Sequence, residues 1–203
     1  MSQILVSGPC QEDRLEQPSS VPRATSGART LTEDQRRLLD ALAAARDPEG
    51  RRDHALIATM LGSGIRVGSA VALDVEDLDL ERGEVRLRTA KGDRPSQAVL
   101  PRGVAELLRG YVAGRRDGPL FPGRRGERIT ARHFARRLQC WLRRAGVERP
   151  ASPHTLRHSF AARVYARTGD LLVTQAALGH ASIASTTVYA RCDRERVREA
   201  VGA

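Results

Sequence analysis

The chain of 203 residues has very few aromatic side chains, one lysine and three cysteines. Aromatics are 3% of the sequence (Phe121, Phe134, Phe160, Trp141, Tyr111, Tyr165, Tyr189), too few for a stacking platform that binds single-stranded nucleic acid. Cys10, Cys140 and Cys192 lie far apart and form no CxxC pair or Cys/His cluster. Neither a zinc site nor a disulfide framework is therefore expected, and a reducing cytoplasm suits the chain. The start, MSQILVSGPCQ, lacks a basic segment and has a short apolar run, unlike a secretory signal. No stretch approaches the roughly 18 apolar residues of a membrane span.

What the chain has in excess is positive charge. Lys+Arg is 34 against Asp+Glu 24, a formal net charge of +10, so a polyanion is the first partner to consider. Lys91 is the only lysine; every other cation is arginine. Arginine supplies a fixed charge, whereas lysine can give up a proton, and the two are not interchangeable.

Residues 1–30 hold three prolines and no apolar period, which reads as a disordered N-terminal tail. Order begins at Thr32, whose spacing to Gln35 suits a capping box ahead of Leu38, Leu39 and Leu42. A second helix is expected from Pro48 to the Gly62-Ser63-Gly64 break, and a short third from Val67 to Leu73. The period then changes. Leu78/Leu80, Val85/Leu87 and Val99-Leu100 alternate around a Glu81-Arg82-Gly83 turn, as three short antiparallel strands do. Lys91 falls in the tight loop between the second and third.

Beyond Pro101 the helical period returns. One helix carries Val104, Leu107, Leu108 and Tyr111; the next carries Phe134, Leu138, Trp141 and Leu142. Arg132, Arg136, Arg137, Arg143 and Arg144 lie off the apolar stripe of the latter, as a solvated basic face or a surface that meets DNA phosphates. Further helices are expected over 153–167, 171–178 and 182–189, with a charged helical tail over 193–201. The fold class is mainly α with a small three-stranded antiparallel sheet.

In SPHTLRHSFAARVYAR, His154, Arg157, His158 and Ala161 share one side of a helix. Leu156, Phe160 and Val164 form the adjacent apolar side, so the stem of Arg157 can pack and hold its guanidinium still. Gly179-His180 follows, then Tyr189; Arg66 and Lys91 lie upstream. Two arginines can brace the non-bridging oxygens of a phosphodiester. A tyrosine can attack the phosphorus and later leave as phenoxide, which conserves the bond for resealing. His154 can accept the phenolic proton or orient the phosphate, and His180 can donate a hydrogen bond. The departing 5′-oxygen needs a proton, which an ammonium can give and a guanidinium cannot. Tyr165 lies about 16 Å along the helix from His154 and cannot share a phosphate with it. His158 faces the site and serves either as a phosphate contact or as a support for its neighbours.

The order Arg66, Lys91, His154-x-x-Arg157, His180, Tyr189, set in HTLRHSFA, LGHASI and TTVYAR, resembles the DNA breaking-rejoining catalytic domain of tyrosine recombinases, the phage-integrase family. The resemblance runs from about Leu31 to Val201. It implies a catalytic domain over 31–203, a covalent 3′-phosphotyrosyl intermediate, double-stranded DNA as substrate and no metal or other cofactor. It also implies a homo-oligomer on DNA, a tetramer, joined through the 193–201 tail. Two features depart from the family. Ser69 stands where a glutamate usually follows the first arginine by three residues, and residues 1–30 are too few to form the clamp domain that usually precedes this one. The second feature is shared with catalytic-domain-only members such as the invertases that flip fimbrial promoter segments. A non-catalytic DNA-binding relative and a type IB topoisomerase-like nicking-closing enzyme are the alternatives.

Overall fold

A computed structural model describes residues 32–88, 96–148 and 151–179. Seven α-helices lie among them: α1 (Thr32–Ala43), α2 (Pro48–Ser63), α3 (Val67–Ala72), α4 (Arg102–Val112), α5 (Ala131–Arg144), α6 (Pro153–Thr168) and α7 (Leu171–Leu178). Strands β1 (Leu78–Asp79), β2 (Glu84–Leu87) and β3 (Ser96–Val99) form an antiparallel sheet in that order. None of these helices is long and apolar enough to cross a membrane.

The middle of the fold is α2. Its sequence HALIATML shows no polar stripe, and a helix apolar on every side has to be enclosed. The other helices do this: α1, α3, α4, α5 and α6 all pack against it. Leu56, Ile57 and Met60 are wholly inaccessible, as are Leu38 of α1, Leu108 of α4, Phe134 and Leu138 of α5, and Leu156 of α6. Local chemistry sets the ends of α2. Asp47 precedes Pro48 and accepts a hydrogen bond from the Gly50 amide at 2.8 Å, a normal N-cap with proline at the first helical position. Gly64 closes the helix at φ +67°, its amide donating to the Met60 carbonyl.

Charge also enters this core. Asp53 is fully buried on α2. One of its oxygens accepts from Arg52 Nε and Nη2 at 3.0 and 2.7 Å; the other accepts from Arg137 Nε at 2.7 Å and Trp141 Nε1 at 2.9 Å. Arg52 also donates to the Pro122 carbonyl. A buried carboxylate persists when its lone pairs are filled in this way, and here the filling bolts α2 to α5.

In the sheet, Leu78 pairs with Val85, and Glu84 to Leu87 pair with Val99 to Ser96. Val85 is buried while Arg86 is exposed, the alternation expected of a sheet with one wet face. The third strand ends at Val99, one residue short of the expected Val99-Leu100 pair, and Leu100 instead donates its amide to Gly83 at 2.7 Å. The expected tail over 1–30, the Lys91 loop, the helix over 182–189 and the tail over 193–201 lie outside the described residues.

Candidate active site

The site grows from the junction of α2 and α6. A Cβ on Gly64 would stand 2.2 Å from Phe160 Cδ1, so the left-handed turn and the close approach of α6 both demand glycine there. That approach brings in Arg157, one turn before Phe160. Its side chain is 6% exposed; Nη2 donates to the Leu178 carbonyl at 2.8 Å and Nη1 donates to the Gly64 carbonyl. Both acceptors stand at helix C-termini, where the backbone carries partial negative charge and a permanent cation is favoured. One guanidinium therefore joins the segment two residues before Arg66 to the segment two residues before His180.

Arg66 is exposed and occupies the N-cap position of α3, with extended backbone. His154 is exposed in the first turn of α6, immediately after Pro153. The turn is fixed by Ser152, whose hydroxyl accepts from the Thr155 amide while its own amide donates to Thr155 Oγ1 at 3.0 Å. The start of a helix is electropositive, so the backbone adds to the side-chain cations at this corner. His158 is half-buried, its ring 6.2 Å from that of His154. Burial holds its pKa below the usual 6.5, and the charges of His154 and Arg157 push it the same way. His158 is thus biased to the neutral form, able to hydrogen-bond without adding charge.

His154, Arg157 and His158 lie together on the first two turns of α6, and Arg157 is bonded to Gly64, two residues before Arg66. Lys91, His180 and Tyr189 lie outside the described residues. On α5, Arg132, Arg136, Arg143 and Arg144 are exposed, Arg144 lying 5.0 Å over the Trp141 ring. Arg137 departs from the expected phosphate-facing row. It is 12% exposed and pairs with Asp53 at 2.7 Å and Glu49 at 3.6 Å, because Asp53 sits beneath α5 and draws it inward. The signal was available: Arg137 precedes Trp141 by four residues and so shares its buried side. Arg88, Asp74 and Arg128, which form a second network beside α3, gave no such signal.

With this arrangement in view, the class of protein follows: the fold is that of a tyrosine recombinase catalytic domain. The chain belongs to the phage integrase family, which matches residues 29–196. It is 35% identical over 185 residues to tyrosine recombinase XerC of Neisseria gonorrhoeae, covering 89% of this chain and 59% of that protein. To tyrosine recombinase XerD of Ralstonia nicotianae it is 37% identical over 196 residues, covering 90% and 60%. The structure of XerH site-specific recombinase bound to its difH substrate, a pre-cleavage complex, superposes with a TM-score of 0.73 at 26% identity, covering 90% of this chain and 56% of that one. The chain thus spans about 60% of the length of these curated relatives.

Proposed function

We propose that this chain is the catalytic domain, over 31–203, of a site-specific recombinase that cuts and rejoins duplex DNA through Tyr189. Arg157 carries the reading: a buried, permanently charged group tied at once to the backbone that leads to Arg66 and to the backbone that leads to His180. Such bracing serves electrostatic stabilisation of a phosphoryl transition state, which depends on donors fixed in advance.

The Tyr189 oxygen attacks phosphorus as the bond to the 5′-oxygen breaks. Arg66 and Arg157 stabilise the two non-bridging oxygens, and His180 adds a hydrogen bond. The phenolic proton passes to His154, and Lys91 gives a proton to the leaving 5′-oxygen. Reversal with a new 5′-hydroxyl reseals the strand and restores both protons. Arg132, Arg136, Arg143 and Arg144 supply a phosphate-facing row along the duplex. Strand exchange between two sites calls for several protomers, a tetramer joined through 193–201. The DNA-bound XerH structure supports duplex DNA as the partner.

Capture from a randomised pool of nicked duplexes tests this. After denaturation, wild-type protein should retain DNA on Tyr189, and Tyr189→Phe should retain none. Absence of any adduct would leave a DNA-binding protein without catalysis. An adduct that relaxes supercoils but never joins two sites would establish the topoisomerase reading instead.

A further inference from the structure

The row of exposed arginines on α5 contains one uncharged member. At about 100° per residue, Arg132, Arg136, Gln139 and Arg143 share one side of the helix, and all four are exposed. The amide of Gln139 turns back onto the protein, where Nε2 donates to the carbonyl of Ala151. Ala151 is 3% exposed, belongs to the core and stands three residues before His154.

The bond falls on a peptide that decides how α6 begins. The Ala151 carbonyl and the Ser152 amide belong to one planar unit. Gln139 holds the first; the second donates to Thr155 Oγ1 at 3.0 Å, and the Ser152 hydroxyl accepts from the Thr155 amide. That peptide is therefore held at both of its polar ends. Pro153 follows at the start of the helix, its φ set by the ring, and His154 comes next. Few soft torsions separate the Gln139 amide from the backbone of His154. The far end of α5 is tied down separately, by the Val147 amide donating to the Leu142 carbonyl at 2.9 Å.

We infer that Gln139 is a positioning residue: it ties the arginine side of α5 to the first turn of α6, so that duplex gripped by those arginines and the His154 imidazole share one frame. The inference rests on the reading of His154 as the group that receives the nucleophile's proton. The rival role for the same side chain is a direct contact to DNA. A contact acts on binding; a positioning residue acts on the rate, and only through His154.

The test is single-turnover adduct formation on the nicked duplex captured by wild-type protein, with Kd and the maximum rate at saturating DNA measured for each variant. Gln139→Met keeps the length of an exposed side chain and removes its donor. It should leave Kd unchanged and lower the maximum rate about tenfold, short of the hundredfold that an ångström of misplacement can cost. His154→Ala should be slower by about 10²- to 10⁴-fold. Gln139→Met added to His154→Ala should bring no further loss, since a residue that acts through another has no effect once the other is gone. An unchanged maximum rate for Gln139→Met, with or without a raised Kd, would overturn the inference. A further tenfold loss on top of His154→Ala would overturn it as well, because Gln139 would then support the fold at large. Wild-type speed for His154→Ala would instead overturn the reading of His154 on which the inference rests.

Discussion

Asp53 and Asp74 each hold two arginines, but Asp53 is wholly enclosed between two helices while Asp74 reaches water. The partners of Asp53 are 3% and 12% exposed; those of Asp74 are 47% and 36% exposed. The same ion arrangement therefore has different consequences. In a dry setting, loss of the central carboxylate strands two cations and unfolds structure. In a wet one, water replaces it, and what is lost is geometry rather than stability.

The largest effect should come from Asp53→Asn. It removes a charge that compensates Arg52 and Arg137 and leaves Arg52, Arg137 and Trp141 to share a neutral acceptor. Breaking a buried pair of this kind costs about 3–5 kcal/mol, a large part of the roughly 5–15 kcal/mol that keeps a domain folded. Urea unfolding monitored by Trp141 fluorescence measures it. A loss below about 1 kcal/mol would show that water reaches the site and that the contrast with Asp74 is false.

A smaller effect is carried by pH. His54, His133 and His158 all have pKa values lowered from 6.5, chiefly by burial. The folded protein then binds fewer protons than the unfolded chain near that pH. The stability they contribute is present above about pH 6.5 and is lost as the pH falls below it. His133 lies nearest the Asp53 network: after burial, the charge of Arg52 lowers its pKa, while Asp53 acts in the opposite sense. Its Nε2 is buried and has no hydrogen-bond partner among the described residues. His133→Gln should flatten the fall in stability between pH 7 and pH 5. An unchanged slope would place the sensitivity at His54 or His158.

These networks also mark the limit of what the sequence discloses. The helices were legible because their ends are written locally: Asp47-Pro48 and Gly64 bound α2, Ser152-Pro153 and Gly169 bound α6, and Asp170 and Gly179 bound α7. The pairing of His154 with Arg157 was legible because a helix places residues three and four apart together, whereas Arg66 was legible only from its place in the order of motifs. Asp74 and Arg128 are 54 residues apart, and Asp53 and Arg137 are 84 apart. No local period links such pairs. Among 33 arginines, local spacing seldom selects which one turns inward. Arg137 is the instructive case, since adjacent Arg136 stays exposed and only Trp141 one turn on betrays the difference.

The smallest expected stability effect is that of Arg88→Ala. Asp74 keeps Arg128, Asp77 still accepts the Asp74 amide at 2.9 Å, and the exposed end of Arg88 returns to water. Screening by salt acts on pairs that touch solvent and much less on enclosed ones. Raising the salt from about 0.05 M to about 0.5 M should therefore shrink the difference in unfolding midpoint between wild type and Arg88→Ala. The difference between wild type and Asp53→Asn should hardly move. Both differences shrinking together would mean that the two aspartates share one dielectric environment.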